Sequence, residues 1–266
     1  MATTNNPAFS RNVAFNDDPT PEQLQALFNR PSSTAGGVMT VEDTVAKTGV
    51  TFAVTVVAAV LSWVLVSGQP ALGGLIILGA GIAGFVLSLV NIFKRTPSAP
   101  LVLAYGAAQG LFLGAISLAY ESSFPGIITQ ALLATFAVFG VTLALFANGK
   151  IRASARATKI FLIAMVGYLA YSVINMFIVM FGGAGGNPWG LDGNIELFGI
   201  PLGVIVGVLV TIMAAYSLVL DFDSIQQGVR NQAPAVFGWS AAFGIMVTMI
   251  WLYLNILRTL AIVRQD

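Results

Sequence analysis

Seven separate stretches of apolar residues, each about twenty long and almost free of charge, constrain this chain more than any other feature. A hydrocarbon layer about 30 Å thick is crossed by roughly 20 helical residues. The stretches lie at 48–66, 72–93, 101–120, 127–147, 160–181, 198–220 and 237–263. The expected fold class is an all-α integral membrane protein, a seven-transmembrane-helix bundle. Composition agrees, since 57% hydrophobic and 9% charged residues do not describe a water-facing surface.

The connections carry turn chemistry: Ser67-Gly68-Gln69-Pro70, 97–100 and 123–126. Their shortness makes neighbouring helices antiparallel. Lys94 and Arg95 follow the second stretch, Lys150, Arg152, Arg156 and Lys159 the fourth, and Arg230 the sixth. The opposite connections hold no Lys or Arg, so the basic side is expected to be cytoplasmic. Arg11, Arg30 and Lys47 put the N-terminus on that side, and the seventh stretch should emerge on the other. Arg258 and Arg264, near that far end, are a departure: either the seventh helix is tilted with snorkelling arginines, or it does not fully cross. The loop 182–197 (GGAGGNPWGLDGNIEL) reads as a flexible cap, or as a vestibule whose Asp192 and Glu196 attract cations.

Two regions are expected. Residues 1–46, rich in Asn, Asp, Pro, Ser and Thr, read as a polar, mostly disordered cytoplasmic tail, in which 21–28 (PEQLQALF) suits a transient amphipathic helix. Residues 47–266 form the transmembrane domain. The first apolar stretch starts too far in, with too little basic charge before it, for a cleaved signal peptide.

The residues that are missing exclude much chemistry. With no cysteine and no histidine there is no disulfide, no Cys or His metal site and no Ser-His-Asp relay. The twelve Lys and Arg nearly balance the eleven Asp and Glu, which gives no reason to expect a nucleic-acid partner. The seventh stretch holds no lysine for a retinal Schiff base. The chain therefore reads as a non-enzyme without a resident cofactor.

Small residues mark where helices meet, because in lipid close packing replaces the hydrophobic drive. Gly106, Gly110 and Gly114 in the third stretch, and Gly199, Gly203 and Gly207 in the sixth, form doubled GxxxG patterns and are expected at helix contacts. Gln109, Asn175 and Asn255 each call for a hydrogen bond between helices. Ionisable groups at membrane depth cost roughly 3 kcal/mol at the centre on insertion scales and tend to be functional. Asp221 and Asp223 close the sixth stretch within 216–227 (YSLVLDFDSIQQ), Asp221 the deeper, and on spacing alone would be a solvated helix end.

Three segments then carry a resemblance. Leu220-Asp221-Phe222-Asp223-Ser224-Ile225, Leu252-Tyr253-Leu254-Asn255-Ile256-Leu257 and Gln109-Gly110-Leu111-Phe112-Leu113-Gly114 are similar to motifs of the bacterial branch of the Bax inhibitor-1 family. The resemblance covers about 48–263 and leaves the tail outside. It implies a bundle with a central seventh helix and paired acids from the sixth and seventh helices near the cytoplasmic side. In calcium-leak members that pair is a pH-responsive gate. Two carboxylates about 4 Å apart at an effective dielectric near 20 repel by roughly 4 kcal/mol, so they share a proton or separate.

This chain departs from the pattern where it matters. Asn255 stands in place of the second acid, and Gln109 where many bacterial members have Glu. An amide keeps the size and hydrogen bonding of a carboxylate but neither its charge nor its titration. The resemblance thus implies a calcium or cation leak protein, or ion-homeostasis protein, of a bacterial plasma membrane. Its gate would be formed by Asp221, hydrogen-bonded to Asn255, with Asp223 and Gln109 along the ion pathway. Asp221 would touch permeant calcium in passing, and the pH response would be weakened or shifted. The alternative is a regulatory protein that acts on a membrane protease or in a stress response, with a membrane protein as partner.

Overall fold

The computed structural model describes residues 37–182, 185 and 187–265. The tail up to residue 36, with the expected helix at 21–28, lies outside the described residues. Among the described residues seven helices of 21 to 29 residues make up most of the chain. They are α1 (Val41–Gly68), α2 (Leu72–Phe93), α3 (Ala99–Ser123), α4 (Ile127–Ala147), α5 (Ala155–Met180), α6 (Leu202–Arg230) and α7 (Gly238–Val263). Between α5 and α6 lie a helical turn, Leu191–Asn194, and a two-stranded hairpin, β1 (Glu196–Leu197) and β2 (Ile200–Pro201).

This is an integral membrane protein with an all-α bundle. Its surface is the argument: Leu75, Leu133, Ile163 and Val166 are each about two-thirds exposed. None of the most apolar window of α5 is buried. A helix of that composition is stable only where the solvent itself is apolar. The interior, in contrast, holds Thr51, Ser62, Thr135 and Ser224, which close hydrogen bonds within or between helices. Two-thirds of the apolar window of α7 is buried, which makes it the most enclosed of the seven.

Local chemistry fixes the helix ends. Thr40, in extended conformation, caps α1 by accepting from Asp43 N at 3.1 Å, and Glu42 and Asp43 complement the helix dipole. The described helix therefore starts seven residues before the apolar stretch at 48. Ser154 caps α5 in the same way. At α4 the cap is remote: the Glu121 carboxylate accepts from Gly126 N at 2.6 Å and Ile128 N at 3.2 Å. α6 begins four residues later than its apolar stretch because Phe198 and Gly199 turn the hairpin, and it continues ten residues beyond Leu220 to Arg230.

The described residues divide into two compact units, one within 37–119 and 219–248, the other within 120–218 and 249–265. In the first unit the glycines of α3 seat on α1. A Cβ at Gly110 would collide with Thr55 O and come within 2.7 Å of Ala58 Cβ, and one at Gly114 would collide with Ala59 O. Ser62 Oγ donates to Leu111 O at 2.7 Å across this seam. Gly106 is close to the same helix but less tightly, with Thr55 Oγ1 3.0 Å and Thr51 Cγ2 3.2 Å from its Cβ direction. In the second unit Gly203 faces Ile262 and Asp192, and Gly207 faces Thr259, so both pack against α7 or the loop before α6. Gly199 does not share this role. It sits in the hairpin turn with φ +76° and has nothing near its Cβ direction, because the helix has not yet begun.

Candidate functional site

α6 does not end at its acids. The helix carries Asp221 and Asp223 into three further turns that pack as tightly as the turns before them, so Asp221 is fully buried and no solvated helix end forms there. Thr248 of α7 donates its hydroxyl to Asp221 Oδ2 at 2.7 Å. Around this contact lie Ser224, which back-bonds to Leu220 O, and Gln227, whose amide reaches Asp223 Oδ2 at 3.4 Å. A carboxylate held this way inside a helix contact is costly to desolvate and therefore sensitive to how the two helices meet.

The loop from α6 to α7 is tied down from the N-terminal side. Met39 N donates to Ala233 O at 2.7 Å and Ala235 N to Gly37 O at 3.1 Å, while the Met39 side chain is 1% exposed. Lys47 Nζ reaches both Asp43 (2.5 Å) and Ala235 O (2.6 Å), with the Trp239 ring 5.8 Å away. This strap belongs to the same unit as Asp221 and Thr248.

Asn255 does not join that contact. Its amide donates to Gly207 O at 2.9 Å and Thr211 Oγ1 at 3.0 Å, and its Oδ1 has no hydrogen-bond partner among the described residues. Asp221 and Asn255 thus each take part in a contact of their own unit, Asp221 with Thr248 in the first and Asn255 with Gly207 and Thr211 in the second. Gln109 is half-buried on α3, and its amide lies over Gly84 of α2, where a Cβ would come within 2.6 Å of Nε2.

The second unit holds a polar cluster that the sequence reading did not assemble. Asp192, fully buried, pairs with Arg258 Nη1 at 2.8 Å, accepts from Tyr171 OH at 2.5 Å and from Asn175 Nδ2 at 3.4 Å. Asn175 also donates to Trp189 O at 3.0 Å and accepts from Leu191 N at 2.7 Å, so it staples the loop before α6 and not a neighbouring helix. Asp192 is consequently no vestibule acid, whereas Glu196 in the hairpin is exposed. Arg258 does not snorkel alone, and Arg264 donates to the carbonyls of Phe124 and Pro125. The available signal was an arginine at span depth together with an acid in the adjoining loop.

A family model described as Bax inhibitor 1 like matches residues 6–265, nearly the whole chain. The chain belongs to the Bax inhibitor 1-like family. No curated protein and no solved structure matches it. In this Bax inhibitor 1-like protein the match takes in most of the N-terminal tail, which the sequence resemblance had left outside. Of the described residues there, Met39 is buried and, with Gly37, hydrogen-bonds to the loop between α6 and α7. Among the described residues no three Asp or Glu side chains gather as a metal site.

Proposed function

We propose that this Bax inhibitor 1-like protein is a passive leak for calcium or other cations in a bacterial plasma membrane, gated where Asp221 meets Thr248. The observation that carries this reading is the fully buried Asp221 carboxylate, held by a hydroxyl from the most enclosed helix. An ionisable group kept inside a helix contact is a functional signature in membranes, and movement of α7 would expose it to a passing cation. Asp221 would then contact calcium transiently, Asp223 would lie beside it, and Gln109 and Asn255 would be polar neighbours of the pathway away from the gate. Because Asn255 carries no ionisable group, the pH response is weaker than that of a two-acid gate. The protein performs no catalysis and needs no resident cofactor, and its basic connections and N-terminus face the cytoplasm.

Calcium entry into proteoliposomes at about pH 6 and pH 8, spanning the titration range of a coupled carboxylate pair, tests the reading. The natural chain should conduct above empty liposomes with little difference between the two, and Asp221→Asn should change the rate several-fold. Flux at the level of empty liposomes for both would sink it.

A second reading, a regulator of another membrane protein, draws support from the strap, which couples the N-terminal segment to the α6 to α7 loop. In that case removal of the N-terminal segment would abolish the regulatory phenotype in cells while leaving flux in liposomes unchanged.

A further inference from the structure

The hairpin between α5 and α6 places a bulky residue where turn chemistry disfavours one. Its two central residues, Phe198 (φ 58°) and Gly199 (φ 76°), both lie in the left-handed region, as a type I′ turn requires. Gly suits the second position, but the first is usually Asn, Asp or Gly, since a large side chain there is strained. Phe198 is nevertheless 99% exposed and so gains nothing from packing within the protein. Ile195, Leu197 and Ile200 around it are 40 to 45% exposed, and Phe181, just past the end of α5, is 77% exposed. Strain kept at a fully exposed aromatic points to a surface outside the chain.

The position of the hairpin says which surface. Leu202 N donates to Ile195 O at 2.7 Å, so the hairpin base is fastened to the first residue of a spanning helix. Four residues cover at most roughly 14 Å, which keeps Phe198 close to the boundary between hydrocarbon and headgroups. Aromatic side chains concentrate at that boundary.

We infer that hairpin 195–200 is an interfacial anchor, in which Phe198 inserts into the lipid leaflet at the end of α5 and α6 that carries the hairpin. Leu197 and Ile200, paired across the strands, lie against the same lipid. The anchor sets the height of the loop that holds Asp192 and hence of the start of α6.

The chain contains no cysteine, so a single nitroxide label can be placed at will. In phosphatidylcholine vesicles a label on Leu197→Cys, which retains Phe198, should collide several-fold more with oxygen than with a water-soluble nickel chelate. It should then resemble a label on Val166→Cys in the exposed face of α5. A label on Lys150→Cys supplies the aqueous reference. Adding Phe198→Asn, which suits the turn and so preserves the hairpin, should shift the Leu197→Cys label to the aqueous ratio. An aqueous ratio with Phe198 present would overturn the anchor, and so would an unchanged lipid ratio after Phe198→Asn. Spin–spin broadening that vanishes on dilution with unlabelled chain would assign the tip to a contact between copies and equally overturn it.

Discussion

Arg258 of α7 and Asp192 of the loop before α6 form an ion pair of 2.8 Å in which the carboxylate is fully buried and the guanidinium largely so. Removing one partner of such a pair costs about 3–5 kcal/mol, because the other charge stays desolvated. Arg258→Met should therefore lower the thermal midpoint in detergent markedly. Asp192→Asn combined with Arg258→Met should recover most of the loss, since no unpaired charge then remains. A double variant as unstable as the worse single variant would show that the pair acts through hydrogen bonds alone.

Asn175 fastens the same loop through Leu191 N at 2.7 Å and Trp189 O at 3.0 Å. Two neutral hydrogen bonds amount to about 2 kcal/mol net, or roughly 30-fold in a local opening equilibrium. Asn175→Leu should accelerate hydrogen exchange at the Leu191 amide by that order while amides in α1 stay protected. Uniformly faster exchange throughout would mean global destabilisation and not a lost staple.

Gly110 and Gly114 let α3 approach the backbone of α1, whereas Gly140 on α4 has open space in its Cβ direction. Gly110→Ala forces the helices apart, and overpacking of this kind costs about 1–3 kcal/mol. Gly140→Ala should instead be neutral or stabilising by about 0.5–1 kcal/mol, from helix propensity. In the same micelles the unfolding midpoint should fall for Gly110→Ala and stay or rise for Gly140→Ala. Equal shifts would refute the close-packed seam.

Thr248→Val removes the hydroxyl that reaches Asp221 at nearly unchanged volume. A hydrogen bond of this kind contributes about 0.5–1.5 kcal/mol net, so the variant should be less stable by that amount, and Thr248→Ser should be close to the natural chain. Calcium entry should rise with Thr248→Val if this contact holds the gate shut. A loss of stability without any change in flux would separate the contact from gating.

The spans were legible because lipid imposes a length and a polarity that composition reports directly. The boundaries at 72–93 and 127–147 coincide with α2 and α4. Where polar residues extend a helix the signal fails: Thr40 caps α1 ahead of its apolar stretch, and α6 passes through Asp221 to Arg230. The doubled glycines of α3 were legible as contacts, since GxxxG has a single dominant use in membranes. Gly199 shared the spacing but belongs to a turn, which i to i+4 spacing alone does not reveal. The candidate site suffered most. The motifs marked Asp221 and Asn255 as polar residues within helices but did not name their partners, Thr248 for the one and Gly207 with Thr211 for the other, because a partner on a neighbouring helix depends on loop geometry and not on the motif. Asp192 and Arg258 are distant in sequence and carry no motif, so only the fold could pair them.

Met39 closes the strap over the α6 to α7 loop, and at 1% exposure it is packed like a core residue although it lies outside every apolar stretch. Truncating a buried Met to Ala costs about 2–5 kcal/mol, whereas Leu, of similar volume, costs less than about 1.5 kcal/mol. Met39→Ala should therefore destabilise the chain and loosen the backbone bonds to Ala233 and Ala235, seen as protease cleavage near residue 40 and faster exchange at the Ala235 amide. Met39→Leu should show neither. Because the strap holds the loop that follows Asp221, Met39→Ala should also change calcium entry in proteoliposomes in the same direction as Thr248→Val. If flux is unaltered while the strap is cleaved, the segment stabilises the fold without acting on the gate.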